Sequence, residues 1–189
     1  MKGNGESKSA AKKTTVNLFV DSNVLEDIRK DAQNDGASLN ARINDILTSY
    51  SLLYKYNKEQ DAVFITGKTH RFFLDSIDEN KLIDHYIEVT SDLAASMLIE
   101  RNVPFTLDNF IRYIIEGVAK NSGSYKKFAH FKDEDGHTCL LFRHNFGDKW
   151  SKILGTGMCY LLEHLVKCHT NLRLLPNSAL IKILEKNIK

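Results

Sequence analysis

The sequence predicts a helix-rich α+β protein in two parts. The first part is a strand followed by two helices, and the second is a domain in which helices cover a small antiparallel sheet. Residues 14–20 alternate apolar and polar side chains, as a half-buried strand does. Apolar residues then recur at helical spacing up to about residue 118, and two strand-like runs joined by an Asp-Gly turn follow.

Length and composition narrow the class of protein. A chain of 189 residues fits one or two domains, and its net charge of +2 excludes binding of nucleic acid through bulk charge alone. An odd number of cysteines, three, and the lack of a signal-peptide pattern favour a reducing cytoplasm. No apolar run reaches the roughly 20 residues of a membrane span, so we expect no membrane partner.

The spacing of apolar residues predicts the first strand and the first helix. Side chains alternate along a strand, so one face of residues 14–20 is aliphatic and the other carries Thr15, Asn17 and Phe19. A helix follows with Leu25 and Ala32 on one face.

Gly36 is expected to end the first helix, and Ser38 is expected to be the N-cap of the second. The second helix has an apolar stripe that includes Ile43, Leu47 and Tyr50. A strand and two helices in about 40 residues cannot bury these faces alone. We therefore expect a second copy of the chain to pair with the strand, which makes an antiparallel ribbon thin enough for the major groove of DNA.

The stretch from Val16 to about Leu53 resembles the ribbon-helix-helix DNA-binding domain of MetJ/Arc-type repressors. The resemblance implies that outward-facing residues of the ribbon read base edges; here these are Thr15, Asn17 and Phe19. It also implies that the first turn of the second helix binds a phosphate through backbone amides, in the region of Ser38, Leu39 and Asn40.

The domain boundaries follow from composition. Residues 1–13 are rich in Gly, Ser and Lys without periodicity, so we expect a disordered basic arm in which Lys12 and Lys13 bind DNA phosphates. Residues 14–60 form the predicted ribbon-helix-helix domain for DNA binding and dimerisation. A polar break at 57–62 precedes the predicted α+β domain, 62–189, for sensing or oligomerisation.

The second domain is predicted in the order strand, strand, helix, strand, strand. Strands are expected at 125–132 and 137–144, a helix from Gly147 and Asp148, and two short strands around residues 176–178. Gly155 and Gly157 interrupt the helix stripe and indicate close backbone packing.

Residues 143–151, RHNFGDKWS, and the closing hairpin resemble C-terminal modules of uncharacterised archaeal regulators. The order of elements is similar to that of small-molecule-sensing α+β modules of the 4-vinyl-reductase type. The resemblance implies a small-molecule or protein effector, but it identifies no ligand residue.

Four possible zinc ligands lie close together in the chain: Cys159, His164, Cys168 and His169. His164 and Cys168 are four residues apart and can converge on one helix face, whereas Cys159 points away. Cys168 also belongs to the apolar stripe of its helix. We therefore predict core residues here rather than a metal site.

Two other groups of residues resemble, in part, a catalytic pair and a calcium site. His137 and Cys139 alternate along a strand and face one side, but no acidic residue that would orient the histidine stands beside them. The acidic loop 133–136 lacks the spacing of a calcium loop and fits a solvated hairpin turn. We predict no metal, no cofactor and no catalytic set.

These observations predict a cytoplasmic homodimer that binds DNA and regulates transcription. The alternative is an antitoxin-like or other protein-interaction module that uses the ribbon-helix-helix for dimerisation. Antitoxin tails are commonly short and extended, whereas residues 62–189 are expected to fold. An enzyme with a dimerising N-terminus ranks last.

Overall fold

A computed structural model describes residues 14–55 and 63–184. The chain divides into two compact units, Met1–Ile46 and Leu47–Lys189. Within the described residues, the molecule is helix-rich and its single sheet has four antiparallel strands, so the predicted α+β class is confirmed. None of the described helices has the length and apolar character needed to cross a membrane.

The described residues of the first unit form two helices, of which the second extends past Ile46. Helix α1 spans Ser22–Asn34 and helix α2 spans Leu39–Ser49, as the apolar spacing predicts. Asp21 caps α1 by accepting from the amides of Asn23 at 2.8 Å and Val24 at 3.4 Å. Residues 14–20 form neither helix nor strand, and no other described segment of the chain pairs with them.

Four helical segments open the second unit. A π-helical turn, Tyr50–Tyr54, follows α2. Helix α3 spans Gly67–Ser76 and α4 spans Glu79–Glu100. Helix α5, Leu107–Asn109, continues as a π-helical segment, Phe110–Ala119.

Side-chain caps begin three of the helices in this unit. Thr66 accepts from the amide of Thr69 at 3.2 Å, Asp78 from that of Lys81 at 3.1 Å, and Thr106 from that of Asn109 at 3.3 Å. Each bond satisfies one amide that the first helical turn leaves without a partner. These caps explain why α3, α4 and α5 begin where they do.

The four-stranded sheet is built from two hairpins. Strands β1, Lys127–Lys132, and β2, Thr138–Arg143, precede helix α6, Asp148–Leu161, which ends in a π-helical turn, Leu162–Val166. Strands β3, His169–Leu175, and β4, Ser178–Leu184, follow. The order across the sheet is β1-β2-β4-β3, because β2 pairs with β4 and joins the hairpins.

The core of the second unit lies between the inner face of the sheet and helices α4 and α6 with the π-helical segment Phe110–Ala119. Inward-facing strand residues alternate with outward-facing ones, as the pleat requires. The largest fully buried side chains include Met97, Leu98, Phe110, Ile115, Leu140, Phe142, Leu154 and Ile181.

Two glycines of α6 permit close packing, as their position predicted. A Cβ at Gly155 would lie 2.8 Å from a methyl of Leu172 and 3.2 Å from Ala179, so α6 rests directly on β3 and β4. A Cβ at Gly157 would overlap the ring of Tyr86, so α4 also approaches α6 closely.

The division between the units falls earlier in the chain than the polar break at 57–62. Leu53 is buried, and a side chain of Leu52 reaches Gly117. Ser49 Oγ donates to Asn121 at 2.8 Å, and Arg101 donates to the Ser51 carbonyl at 2.7 Å. Residues 49–53 therefore belong to the packing of the second unit, whereas the break itself lies outside the described residues.

Candidate nucleic-acid interface

The residues expected to read bases lie in the exposed segment that precedes α1. All side chains of residues 14–20 are exposed, and the ring of Phe19 is fully so. Thr15 and Asn17 therefore present their polar groups to solvent, and Phe19 presents an apolar surface. These exposed side chains are available to a partner molecule.

The aliphatic residues of the same segment are exposed as well. Val16 is 68% exposed and Leu18 is 56% exposed. Within residues 14–46, Ala32 is the one fully buried apolar side chain, while Leu25, Ile28 and others are half-buried. Burial of apolar surface stabilises a fold by roughly 25 cal/mol per Å². The exposed apolar side chains of this unit therefore contribute little to its stability in a single chain.

The turn between α1 and α2 has the geometry expected of a glycine stop. Gly36 has φ +66°. Its amide donates to the Gln33 carbonyl at 3.1 Å, and the Ala37 amide donates to the Ala32 carbonyl at 2.8 Å, which is the Schellman pattern. The prediction that Gly36 ends the first helix is confirmed.

The first turn of α2 offers backbone donors at the position predicted for a phosphate. Ser38 is the cap, because its Oγ accepts from the Ala41 amide at 3.2 Å. The amides of Leu39 and Asn40 have no partner among the described residues, since the first turn of a helix lacks internal acceptors for them. Amides in this position favour an anion.

The charges around this helix end are unfavourable for a phosphate. Residues 14–46 contain three basic and six acidic side chains. Arg42 in α2 is already 3.5 Å from Asp31 and 3.5 Å from Asp35 of α1, exposed ion pairs of the kind that contribute about 0–1 kcal/mol each. The described residues of this unit therefore offer a phosphate little positive charge; Lys12 and Lys13, predicted to bind DNA phosphates, lie outside the described residues.

A buried histidine and serine in the second unit have the form of a catalytic pair. His144 Nε2 lies 3.0 Å from Ser151 Oγ, and both residues are buried. However, His144 Nδ1 accepts from the Phe146 amide at 3.2 Å, which places the ring proton on Nε2. The histidine therefore donates to Ser151, whose hydroxyl donates to the Leu175 carbonyl at 3.3 Å. The pair joins α6 to the ends of the strands and does not activate the serine.

This arrangement predicts a pH dependence of stability. Burial lowers the pKa of His144 from its ordinary 6.5, and nearby Asp148 opposes the shift only in part. Below pH 6.5 the unfolded chain binds a proton that the folded chain does not, so stability should fall as pH decreases toward the lowered pKa. Urea denaturation at pH 7.5 and pH 5.5 measures this loss.

His144→Asn should reduce the loss of stability between these two pH values, because asparagine keeps an acceptor for the Phe146 amide and does not titrate. His85→Asn is the matched control, since the His85 side chain is 73% exposed. An unchanged pH dependence in His144→Asn would show that another group causes it.

The carboxylates of the acidic turn between β1 and β2 are paired with a lysine of the same chain. Asp133, Asp135 and His137 are the described residues whose side chains approach one another as metal ligands would. Lys182 Nζ, however, lies 2.7 Å from Asp133 and 3.3 Å from Asp135. The hydrogen bond from Lys182 lowers the pKa of Asp133 to about 2. The lysine ammonium takes the place that a cation would need.

Two of the three cysteines lie where burial favours the protonated thiol. Burial raises the pKa of Cys139, and Asp133 raises it further; burial also raises the pKa of Cys159. Cys168 Sγ donates to the Leu162 carbonyl at 3.5 Å. His164 stacks on Tyr160, with ring centroids 3.7 Å apart. Among the described residues, these side chains do not form a metal cluster.

The structure also contains contacts that spacing alone did not indicate. The Arg42 ion pairs and the His144–Ser151 hydrogen bond join residues of different segments, and neither helical nor strand spacing predicts them. Comparison with known proteins adds no family assignment: no protein-family model, no curated protein and no solved structure matches the chain.

Proposed function

We propose that the protein is a dimeric DNA-binding transcription regulator. In this proposal residues 14–20 of two chains pair as an antiparallel ribbon that enters the major groove of DNA. Two helices per chain form the dimer around the ribbon, and the second unit supplies a sensor or extends the oligomer.

The observation that carries the proposal is the exposure of residues 14–20 beside two incompletely buried helices. This segment alternates aliphatic and polar residues, yet both sets are exposed in a single chain. Pairing with a second copy would cover Val16 and Leu18 and leave Thr15 and Asn17 on the outer face. It would also give partners to a backbone that pairs with no described segment of its own chain.

The start of α2 supports the same proposal. The amides of Leu39 and Asn40 suit one phosphate oxygen, and the Ser38 cap holds them in place. Because residues 14–46 carry more acidic than basic side chains, binding should depend strongly on the arm, residues 1–13, with four lysines and one glutamate.

The antitoxin-like alternative has less support. A toxin-binding tail is commonly short and extended, whereas residues from 47 onward pack around a large core of their own. An enzymatic role has less support as well, because the His144–Ser151 pair has the wrong tautomer for proton abstraction and burial raises the pKa of the Cys139 and Cys159 thiols.

Asn17→Ala should weaken binding to a preferred DNA site by ~1–3 kcal/mol. Asparagine can bond adenine N6 and N7 together, and the ribbon has no arginine to pair with guanine, so we expect A·T-leaning half-sites in an inverted repeat. The preferred site would be obtained by selection from a random duplex pool. Fluorescence anisotropy would then compare the selected duplex with a scrambled one over a salt series.

Deletion of residues 1–13 is the matched comparison. Loss of the arm should weaken binding to both duplexes equally and flatten the salt dependence, because phosphate contacts carry no sequence information. If Asn17→Ala weakens the scrambled duplex as much as the selected one, the ribbon does not read bases.

A further inference from the structure

A cavity of about 200 Å³ lies between α4, the π-helical segment Phe110–Ala119 and α6. We call it the Tyr86 cavity, and its walls include Leu53, Tyr86, Leu93, Ile114, Val118 and Met158. It lies entirely within the second unit. Most of the residues that line it are aliphatic, and none of them is charged. A ligand bound here would therefore be uncharged and largely hydrocarbon, since a buried charge without a counter-charge is strongly unfavourable.

Four polar side chains also line the cavity: Tyr86, Thr90, Ser122 and Ser124. The Thr90 hydroxyl is already used, because it donates to the Tyr86 carbonyl at 2.5 Å. The Ser122 hydroxyl donates to the Ala119 carbonyl at 3.1 Å. The proton between the Ser122 and Ser124 oxygens, 2.8 Å apart, then comes from Ser124. Ser124 Oγ is left as an acceptor.

The Tyr86 hydroxyl supplies a donor. No hydrogen bond between described residues uses this hydroxyl, and Tyr86 is part of the cavity wall. Burial raises the pKa of Tyr86 well above its ordinary value, so the hydroxyl keeps its proton. The ring is held against Gly157, where any Cβ would overlap it, and it meets the edge of Trp150 with centroids 5.7 Å apart. The donor is thus carried by a ring in a fixed position.

We propose that the Tyr86 cavity binds a small uncharged molecule that is mostly hydrocarbon and carries one hydroxyl or amide group. Such a group can accept from Tyr86 or donate to Ser124, and the hydrocarbon fills the aliphatic part. An engineered apolar cavity of about 150 Å³ binds benzene, so this cavity has room for a single ring with a short substituent. The assignment deepens the proposed sensor role of the second unit.

Trp150 is a built-in reporter for this cavity. It is the one tryptophan of the chain. Its ring contacts Tyr86, and its Nε1 donates to the Ser124 carbonyl at 2.8 Å. Two residues of the cavity wall therefore touch the indole, and a molecule bound between them should change its fluorescence.

In the test, three single-ring probes are added in turn to the full chain in the absence of DNA. The fluorescence of Trp150 is followed during each titration. Benzyl alcohol has a ring and a hydroxyl, toluene has the ring alone, and benzoate carries a charge. We expect saturable changes with benzyl alcohol and, more weakly, with toluene, and none with benzoate. Because DNA is absent, the result is independent of whether the N-terminal unit binds DNA.

Two variants test the location. Ala94→Leu fills the cavity and should abolish binding of both neutral probes, whereas Ala95→Leu, the same change one residue along α4 and outside the lining set, should bind as the unmodified chain does. Tyr86→Phe keeps the ring but removes the donor. It should weaken benzyl alcohol about fivefold, the typical effect of one hydrogen bond, and leave toluene unchanged.

The proposal is overturned if neither neutral probe gives a saturable change up to its solubility, or if benzoate binds as well as benzyl alcohol. It is also overturned if Tyr86→Phe affects toluene and benzyl alcohol equally. Should Ala94→Leu fail to fold, as judged by circular dichroism, the Tyr86→Phe comparison still decides the outcome.

Discussion

Ile43→Asp should abolish dimerisation and, with it, DNA binding. Ile43 is half-buried in α2 of a single chain, and the proposed dimer would bury the rest of it. A carboxylate there would be buried without a counter-charge, which costs several kcal/mol and exceeds what one side chain's apolar contacts contribute. Sedimentation velocity of the full chain at micromolar concentration measures the loss of the dimer directly.

Asn44→Asp is the matched control for this variant. Asn44 is the next residue of α2 and is exposed, so the same charge is added to the same helix without burial. The control should remain dimeric. A dimeric Ile43→Asp variant, or a monomeric unmodified chain that still binds DNA specifically, would contradict the proposed ribbon.

Phe142→Ala should destabilise the second unit by ~3–5 kcal/mol, the usual cost of removing a fully buried phenylalanine. Phe142 is completely buried in β2. Its ring lies 5.1 Å from that of Phe128 and 5.5 Å from that of Tyr125, centroid to centroid. The variant would lose these aromatic contacts and leave a cavity at the centre of the sheet. The midpoint and slope of urea denaturation give the change in the free energy of unfolding.

Phe131→Ala tests whether position in the sheet causes the effect. Phe131 is in the neighbouring strand β1, faces the other side of the sheet and is 45% exposed. The same truncation should therefore cost clearly less than Phe142→Ala, since nearly half of the Phe131 side chain is already exposed and its loss leaves no enclosed cavity. Equal losses in the two variants would show that the outer face of the sheet is covered in solution.

Local features of the fold were predictable because each depends on a few neighbouring residues. Gly36 ends α1 since a left-handed conformation favours glycine, and Ser38 begins α2 since its hydroxyl accepts from the amide three residues on. The second hairpin was predicted from its turn at residues 176–178, and its strands flank Pro176 and Asn177 as expected.

Contacts between distant residues were decided by the tertiary structure. The pairing of β2 with β4, which gives the order β1-β2-β4-β3, depends on which hairpin edges meet, and strand patterns do not encode that choice. The division between units depends on where Leu53 packs, not on the polar break that follows it.

The candidate sites divide in the same way. Spacing placed Thr15, Asn17 and Phe19 on one strand face and Ser38 at a helix start, and the resemblance to ribbon-helix-helix domains implied their roles. The Tyr86 cavity needed three helices in contact, and of its formation the sequence indicated only close backbone packing at Gly157. Only packing brings the ring onto that glycine, because a missing Cβ matters where a second helix comes close enough to use the space.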